Sequence, residues 1–151
     1  ILGGLDDKPA EIKANGGDDP VAFPYSDFGV NQVGYCITTH KDTIANNPDL
    51  VKRFLDATVA SYANAEKNPD SAVDAIADIV GGSMAEDAGK VQTRSVLDVT
   101  LGILYSGGNT ERKLGLNVES DWADMIALMK EYNDLDPAID PTTFYTNEFI
   151  D

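Results

Sequence analysis

Val33-Gly34-Tyr35-Cys36-Ile37-Thr38-Thr39, followed after a short gap by Asn47-Pro48-Asp49-Leu50-Val51-Lys52-Arg53-Phe54-Leu55, is the stretch on which the fold turns. The first segment is rich in β-branched and aromatic residues, which suit a pleated, half-buried surface, and it reads as the best strand in the chain. The second opens with an Asn cap, a Pro at the first helical position and an Asp against the positive end of the helix dipole. Val51, Phe54, Leu55, Thr58 and Tyr62 then recur at helical spacing, which predicts a helix from about Pro48 to Lys67.

Toward the amino terminus the pattern stays strand-and-turn rich. Val21-Ala22-Phe23 reads as a strand, Pro24 confines the next residues to an edge or a crossing, and Tyr25-Ser26-Asp27-Phe28-Gly29 is a loop signal. Lys8 to Lys13 reads as a short helix capped by Asp7, with Pro9 in its first turn, and Ile1-Leu2-Gly3-Gly4 as a strand end entering a loop. Toward the carboxyl terminus three more helices are expected. One starts at Asn68-Pro69-Asp70 and stops at Gly81-Gly82. The next opens with the capping box Ser83-Met84-Ala85-Glu86 and runs to about Tyr105, before Gly107-Gly108. The last opens at Ser120-Asp121-Trp122. Pro137 to Asp151 is irregular and aromatic. Strands first and helices after predict an α/β or α+β piece, with α/β the class taken: a small sheet with several packed helices.

Composition narrows the function. The 151 residues carry 26 acidic and 11 basic side chains, a formal charge of −15. That charge disfavours nucleic acid and anionic lipid as partners, since both attract basic surfaces. The hydrophobic share of 42% is enough for a packed core. No apolar run approaches the roughly 20 residues that span a bilayer, so no membrane insertion of this segment is expected. One cysteine, Cys36, excludes an internal disulfide, and one histidine, His40, allows at most one imidazole in any mechanism. With Ile1 first and no signal peptide in front, the sequence reads as a piece of a longer chain.

Catalytic signatures are scarce: no phosphate-binding glycine loop and no nucleophile elbow occurs. His40 is expected to be a surface loop residue, and Cys36 a buried, inert thiol in its strand. Asp134, Asp136 and Asp140 lack the glycine and terminal Glu of a calcium loop and read as a solvated acidic turn, so no metal site is expected. Two loops hold chemistry suited to a ligand. Gly3-Gly4-Leu5-Asp6-Asp7 combines glycines that let backbone come close with carboxylates that can anchor an amine. Tyr25 and Asp27 share one loop, where an aromatic face and an acid can stack on and hydrogen-bond a flat heterocycle.

Taken in succession, several motifs resemble one family. They are Tyr25-Ser26-Asp27-Phe28-Gly29-Val30, Asp42-Thr43-Ile44, Asn47 to Thr58, Ala65 to Val73, Trp122 in a late helix and the closing Tyr145-Thr146-Asn147-Glu148-Phe149. This succession is similar to the carboxyl-terminal half of the NMT1/THI5-like family. That family includes periplasmic solute-binding proteins of ABC importers for thiamine-pyrimidine precursors, with relatives for riboflavin, sulfonates, taurine and nitrate. The resemblance implies a type II periplasmic-binding-protein-like fold, an incomplete two-lobe clamshell. Residues 1–24 would be the end of the second lobe, and residues 25–151 the hinge crossing and the return to the first lobe. It implies a small-molecule solute in an interlobe cleft, contacts with ABC permease subunits, a place in the periplasm or tethered outside the cell membrane, no cofactor and no catalysis. Gly3, Gly4, Asp6, Asp7, Tyr25 and Asp27 would bind the solute. The family also holds a pyrimidine-precursor synthase of thiamine biosynthesis, marked by a cysteine-rich motif; the matching stretch here, Gly29-Val30-Asn31-Gln32-Val33, has no cysteine.

Overall fold

The computed structural model describes residues 2–105 and 113–150. Expectations that fall on Ile1, on Gly107-Gly108 and on Asp151 lie outside them. Six α-helices are formed among the described residues: α1 Lys8–Ala14, α2 Lys41–Asn46, α3 Pro48–Lys67, α4 Pro69–Val80, α5 Asp87–Gly102 and α6 Glu119–Tyr132. Tight three-ten turns occupy Tyr25–Phe28, Gly82–Ala85 and Pro141–Phe144.

No strand forms among the described residues, which overturns the expected α/β class and its small sheet. Val21–Phe23 and Val33–Thr39 are present without a ladder, and Tyr35 is 90% exposed. The physical reason is that β-propensity expresses packing against a neighbouring strand. The two candidates fall in separate contact units, 1–23 with 60–110 and 24–59 with 111–151, and neither unit offers its candidate a partner strand among the described residues. Cys36, expected buried in that strand, is exposed for the same reason.

In the first unit, α4 packs on α5 through the Gly82–Ala85 turn, and α1 contacts α5. Its buried apolar residues are small: Ala10, Ala65, Val73 and Ala77. Of the apolar residues of α4, Val73 and Ala77 are buried while Ile79 stays 85% exposed. Phe54 of α3, part of the apolar stripe read from its spacing, and Val91 of α5 are exposed as well. The α4–α5 pair is laced by charge: Arg94 pairs with Asp70 and with Asp98 at 2.8 Å, and Lys90 Nζ donates to Asp74 at 2.7 Å. Gly89 is required where α5 begins, because a Cβ there would overlap the Ser83 carbonyl oxygen and lie 2.8 Å from Met84 Cα.

The predicted capping box fails at this same place. Ser83 to Ala85 are taken up by the three-ten turn, and α5 starts at Asp87, with Glu86 in the cap position and no side-chain capping bond. Gly81 explains the displacement: its φ of 68° and ψ of −158° turn the chain out of α4 in a conformation open to glycine. The α3 limits match the sequence reading, and α4 starts and stops as expected. Asn68, however, caps α4 through its backbone carbonyl, which accepts from Ala72 N at 3.2 Å, and not through its side chain.

In the second unit α6 packs on the Pro141–Phe144 turn. Ile126 is 1% exposed and Phe149 is buried. Trp122 stacks with Phe144 at 6.4 Å and with Tyr145 at 5.4 Å between ring centroids. Its indole N–H donates to Asn117 Oδ1 at 3.0 Å. Asn117 and Asn147 then clasp reciprocally: Asn147 Oδ1 accepts from Asn117 N at 2.8 Å, and Asn147 Nδ2 donates to Asn117 O at 2.9 Å. An amide side chain matches a peptide group donor for acceptor, so this pair holds the closing segment with the geometry of a short ladder. Asp140 ends the acidic turn by accepting from Thr142 N at 2.9 Å and from its hydroxyl at 2.8 Å, which lowers the Asp140 pKa below the usual carboxylate value.

Candidate functional site

The acidic glycine turn lies in the first unit. Lys8 N donates to Gly4 O at 3.2 Å and Glu11 N to Asp7 O at 3.0 Å, so the turn winds directly into α1. Asp7 occupies the cap position, but its side chain makes no capping bond. Instead the carboxylates of Asp6 and Asp7 fold over the bare face of Gly4: a Cβ there would overlap Asp6 Oδ1 and lie 2.9 Å from Asp7 Oδ1. Gly3 does the same for the Lys8 stem, whose Cδ would lie 3.0 Å from an added Cβ. Two glycines thus allow two acids and one amine to gather around a single turn.

Lys8 is the residue that the sequence reading passed over. Its ammonium pairs with Glu11 one turn along α1 and lies 4.0 Å from Asp7 Oδ2. The hydrogen bond and charge of Glu11, with the charge of Asp7, raise the Lys8 pKa above its ordinary value. Lys8 also borders an open recess of about 360 Å³, lined with Glu11, Ile12, Asn15 and Gly17. The signal was present as the i, i+3 spacing of Lys8 and Glu11 at a helix start. Gly3, Gly4, Asp6 and Asp7 stand beside this recess in sequence but do not line it.

Tyr25 and Asp27 belong to the second unit, in the Tyr25–Phe28 turn. Gly29 closes that turn with φ of 80°, donating its N–H to Ser26 O at 3.1 Å. Tyr25 and Phe28 expose more than half their surface, so aromatic faces are open to solvent here. A shallow apolar groove of about 200 Å³ lies nearby in the chain, lined by Val30, Gln32 and the α6 residues Met125, Leu128, Met129 and Tyr132. His40 is exposed at the cap of α2, where its Nδ1 accepts from Asp42 N at 3.2 Å. Among the described residues no cluster of three His, Cys, Asp or Glu side chains is placed to hold a metal. No helix among them is long and apolar enough to cross a membrane.

An acidic turn, an adjacent amine and exposed aromatic faces offer charge, hydrogen bonds and stacking. Comparison with known proteins bears on the same residues. Residues 3–72 match the NMT1/THI5-like family, which includes the turn, α1, the Tyr25–Phe28 segment and all of α3. The chain is also 24% identical over 143 residues to the riboflavin-binding protein RibY of Chloroflexus aurantiacus, a match covering 95% of this chain and 40% of the relative. The chain therefore spans less than half the length of that curated relative. No solved structure matches it significantly. The resemblance read from the motifs is borne out by both comparisons, and the family match itself ends at residue 72.

Proposed function

We propose, from the likeness to the NMT1/THI5-like family, that this chain is part of a solute-binding component of an ABC importer, working outside the cell membrane and without catalysis. The observation that carries the reading is the similarity, across 95% of the chain, to a protein named for binding riboflavin. The solute is a small nutrient with a flat heterocycle: a flavin, or a thiamine-pyrimidine precursor of the kind the family resemblance brings forward. Gly3 and Gly4 offer backbone donors, Asp6 or Asp7 an anionic anchor, and Tyr25 with Asp27 stacking and hydrogen bonding. In this reading the ligand is enclosed between two lobes, and closure is a population shift driven by contacts made only in the closed form.

The test is calorimetric titration of the full-length protein with riboflavin and, separately, with the thiamine-pyrimidine precursor. Saturable binding of one of them, with the ligand recovered unchanged, supports transport. Conversion of the ligand would replace this reading with that of a synthase. Within the site, Asp6→Ala and Asp7→Ala are each expected to weaken binding about tenfold or more, the scale of one charge-assisted hydrogen bond. Undiminished affinity in both variants would remove the anchor role.

A further inference from the structure

Residues 134–145 run from the end of α6 back to the two rings that stack on Trp122 near its start, and none of them is buried. Their backbone bonds are local: Ile139 N donates to Asp136 O at 3.1 Å, and Thr143 N to Asp140 O at 3.1 Å. Among the described residues only Leu135 N, which donates to Met129 O at 3.3 Å, joins this backbone to that of the helix. Two side-chain attachments tie the segment to α6. Phe144 and Tyr145 stack on Trp122 at one end. At the other, Lys130 Nζ donates to Pro137 O at 2.9 Å and to Ile139 O at 2.7 Å. Charge singles out this lysine, the one cation of residues 114–151. The segment carries Asp134, Asp136 and Asp140, and α6 carries Glu119, Asp121, Asp124 and Glu131. By charge the segment and the helix repel each other, and the Lys130 ammonium opposes that repulsion.

We propose that residues 134–145 form a strap that opens and closes over α6 as one unit while the helix stays formed, with Lys130 as its latch. An ammonium shared by two carbonyl oxygens makes charge-assisted hydrogen bonds, about twice as strong as neutral ones. The rest of the strap has no buried side chain and, beyond Leu135, no backbone bond to the helix among the described residues. Such a segment belongs to the low-stability end of a structure, where local opening precedes global unfolding. The helix keeps its own ladder of backbone bonds throughout. Opening uncovers the indole of Trp122, which Phe144 and Tyr145 cover when the strap is closed.

Hydrogen exchange of the full-length protein, read by mass spectrometry on peptides from the strap and from α6, tests this. In the parent protein the strap amides are expected to exchange together and before those of α6. Lys130→Met keeps the stem and removes the ammonium. It should speed exchange in the strap about tenfold or more, the scale of one lost charge-assisted hydrogen bond, and leave α6 close to the parent rate. Raising sodium chloride should restore part of the strap's protection in this variant, because the repulsion left there is screened. Strap and helix exchanging together in the parent would overturn the proposal, since they would then be one cooperative unit. Loss of α6 protection in Lys130→Met would overturn it for the same reason. So would a variant strap as protected as the parent's, or one whose exchange is indifferent to salt, which would make Lys130 a packing residue and no latch.

Discussion

At the scale of single residues, stability in the second unit rests on a few polar matches around one indole. Asn147→Ala removes both halves of the clasp and leaves the Asn117 N–H and carbonyl without those partners in a part-buried position. The expected loss is about 1–3 kcal/mol, read by urea unfolding with the emission of Trp122, the single tryptophan. Ile126→Ala, at the most buried side chain, is expected to cost about 2–4 kcal/mol by the same measurement. Asp140 makes a pH-dependent contribution. Its folded pKa is depressed, so its stabilising bonds to Thr142 are present above the ordinary aspartate value of about 3.9 and are lost as pH falls through the lower folded value. Acid titration of Asp140→Ala should therefore show a shallower loss of Trp122 signal below about pH 4 than the parent chain does.

At the scale of elements, the α4–α5 junction shows where local sequence rules give way. Ser83 to Glu86 has the spacing of a capping box, yet a glycine-only conformation at Gly81 redirects the chain and turns those residues into a three-ten turn. Gly89 then lets α5 approach that turn closely. Gly89→Ala is expected to lower the thermal midpoint, because the added methyl meets backbone that cannot rotate away, and circular dichroism at the helix band would report it. A midpoint equal to the parent's would mean that the turn yields freely. The helix starts marked by Asn-Pro-Asp were legible in sequence because proline and the dipole act within one turn. The role of Asn68 was not: a side-chain cap and a backbone cap look the same in a sequence.

Whole-molecule behaviour is governed by charge and by how little is buried. With a net charge of −15 and ion pairs that are mostly at the surface, added salt should stabilise the chain, since relief of self-repulsion outweighs the screening of exposed pairs. Thermal melts at rising sodium chloride concentration check this, and a falling midpoint would show that the Arg94 and Lys90 pairs matter more than the overall repulsion. Exposed apolar side chains are numerous: Val21, Phe23, Phe28, Tyr35, Ile79 and Val91 all lie open. How much of each helix's apolar face is covered depends on what packs against it: Val73 and Ile126 are buried, while Phe54, Ile79 and Tyr132 stay open.

By itself the sequence determined the limits of two helices and the make-up of two turns. The limits of α3 and α4, the glycine turn with its paired acids, the aromatic turn at Tyr25 and the family succession all depend on neighbours a few residues apart. Tertiary structure alone decided what required distant partners. It left Val33–Thr39 without a ladder, exposed Cys36 and joined Asn117 to Asn147. A strand or a clasp exists only when a second segment arrives to complete its hydrogen bonds, and no reading of one segment can supply the other.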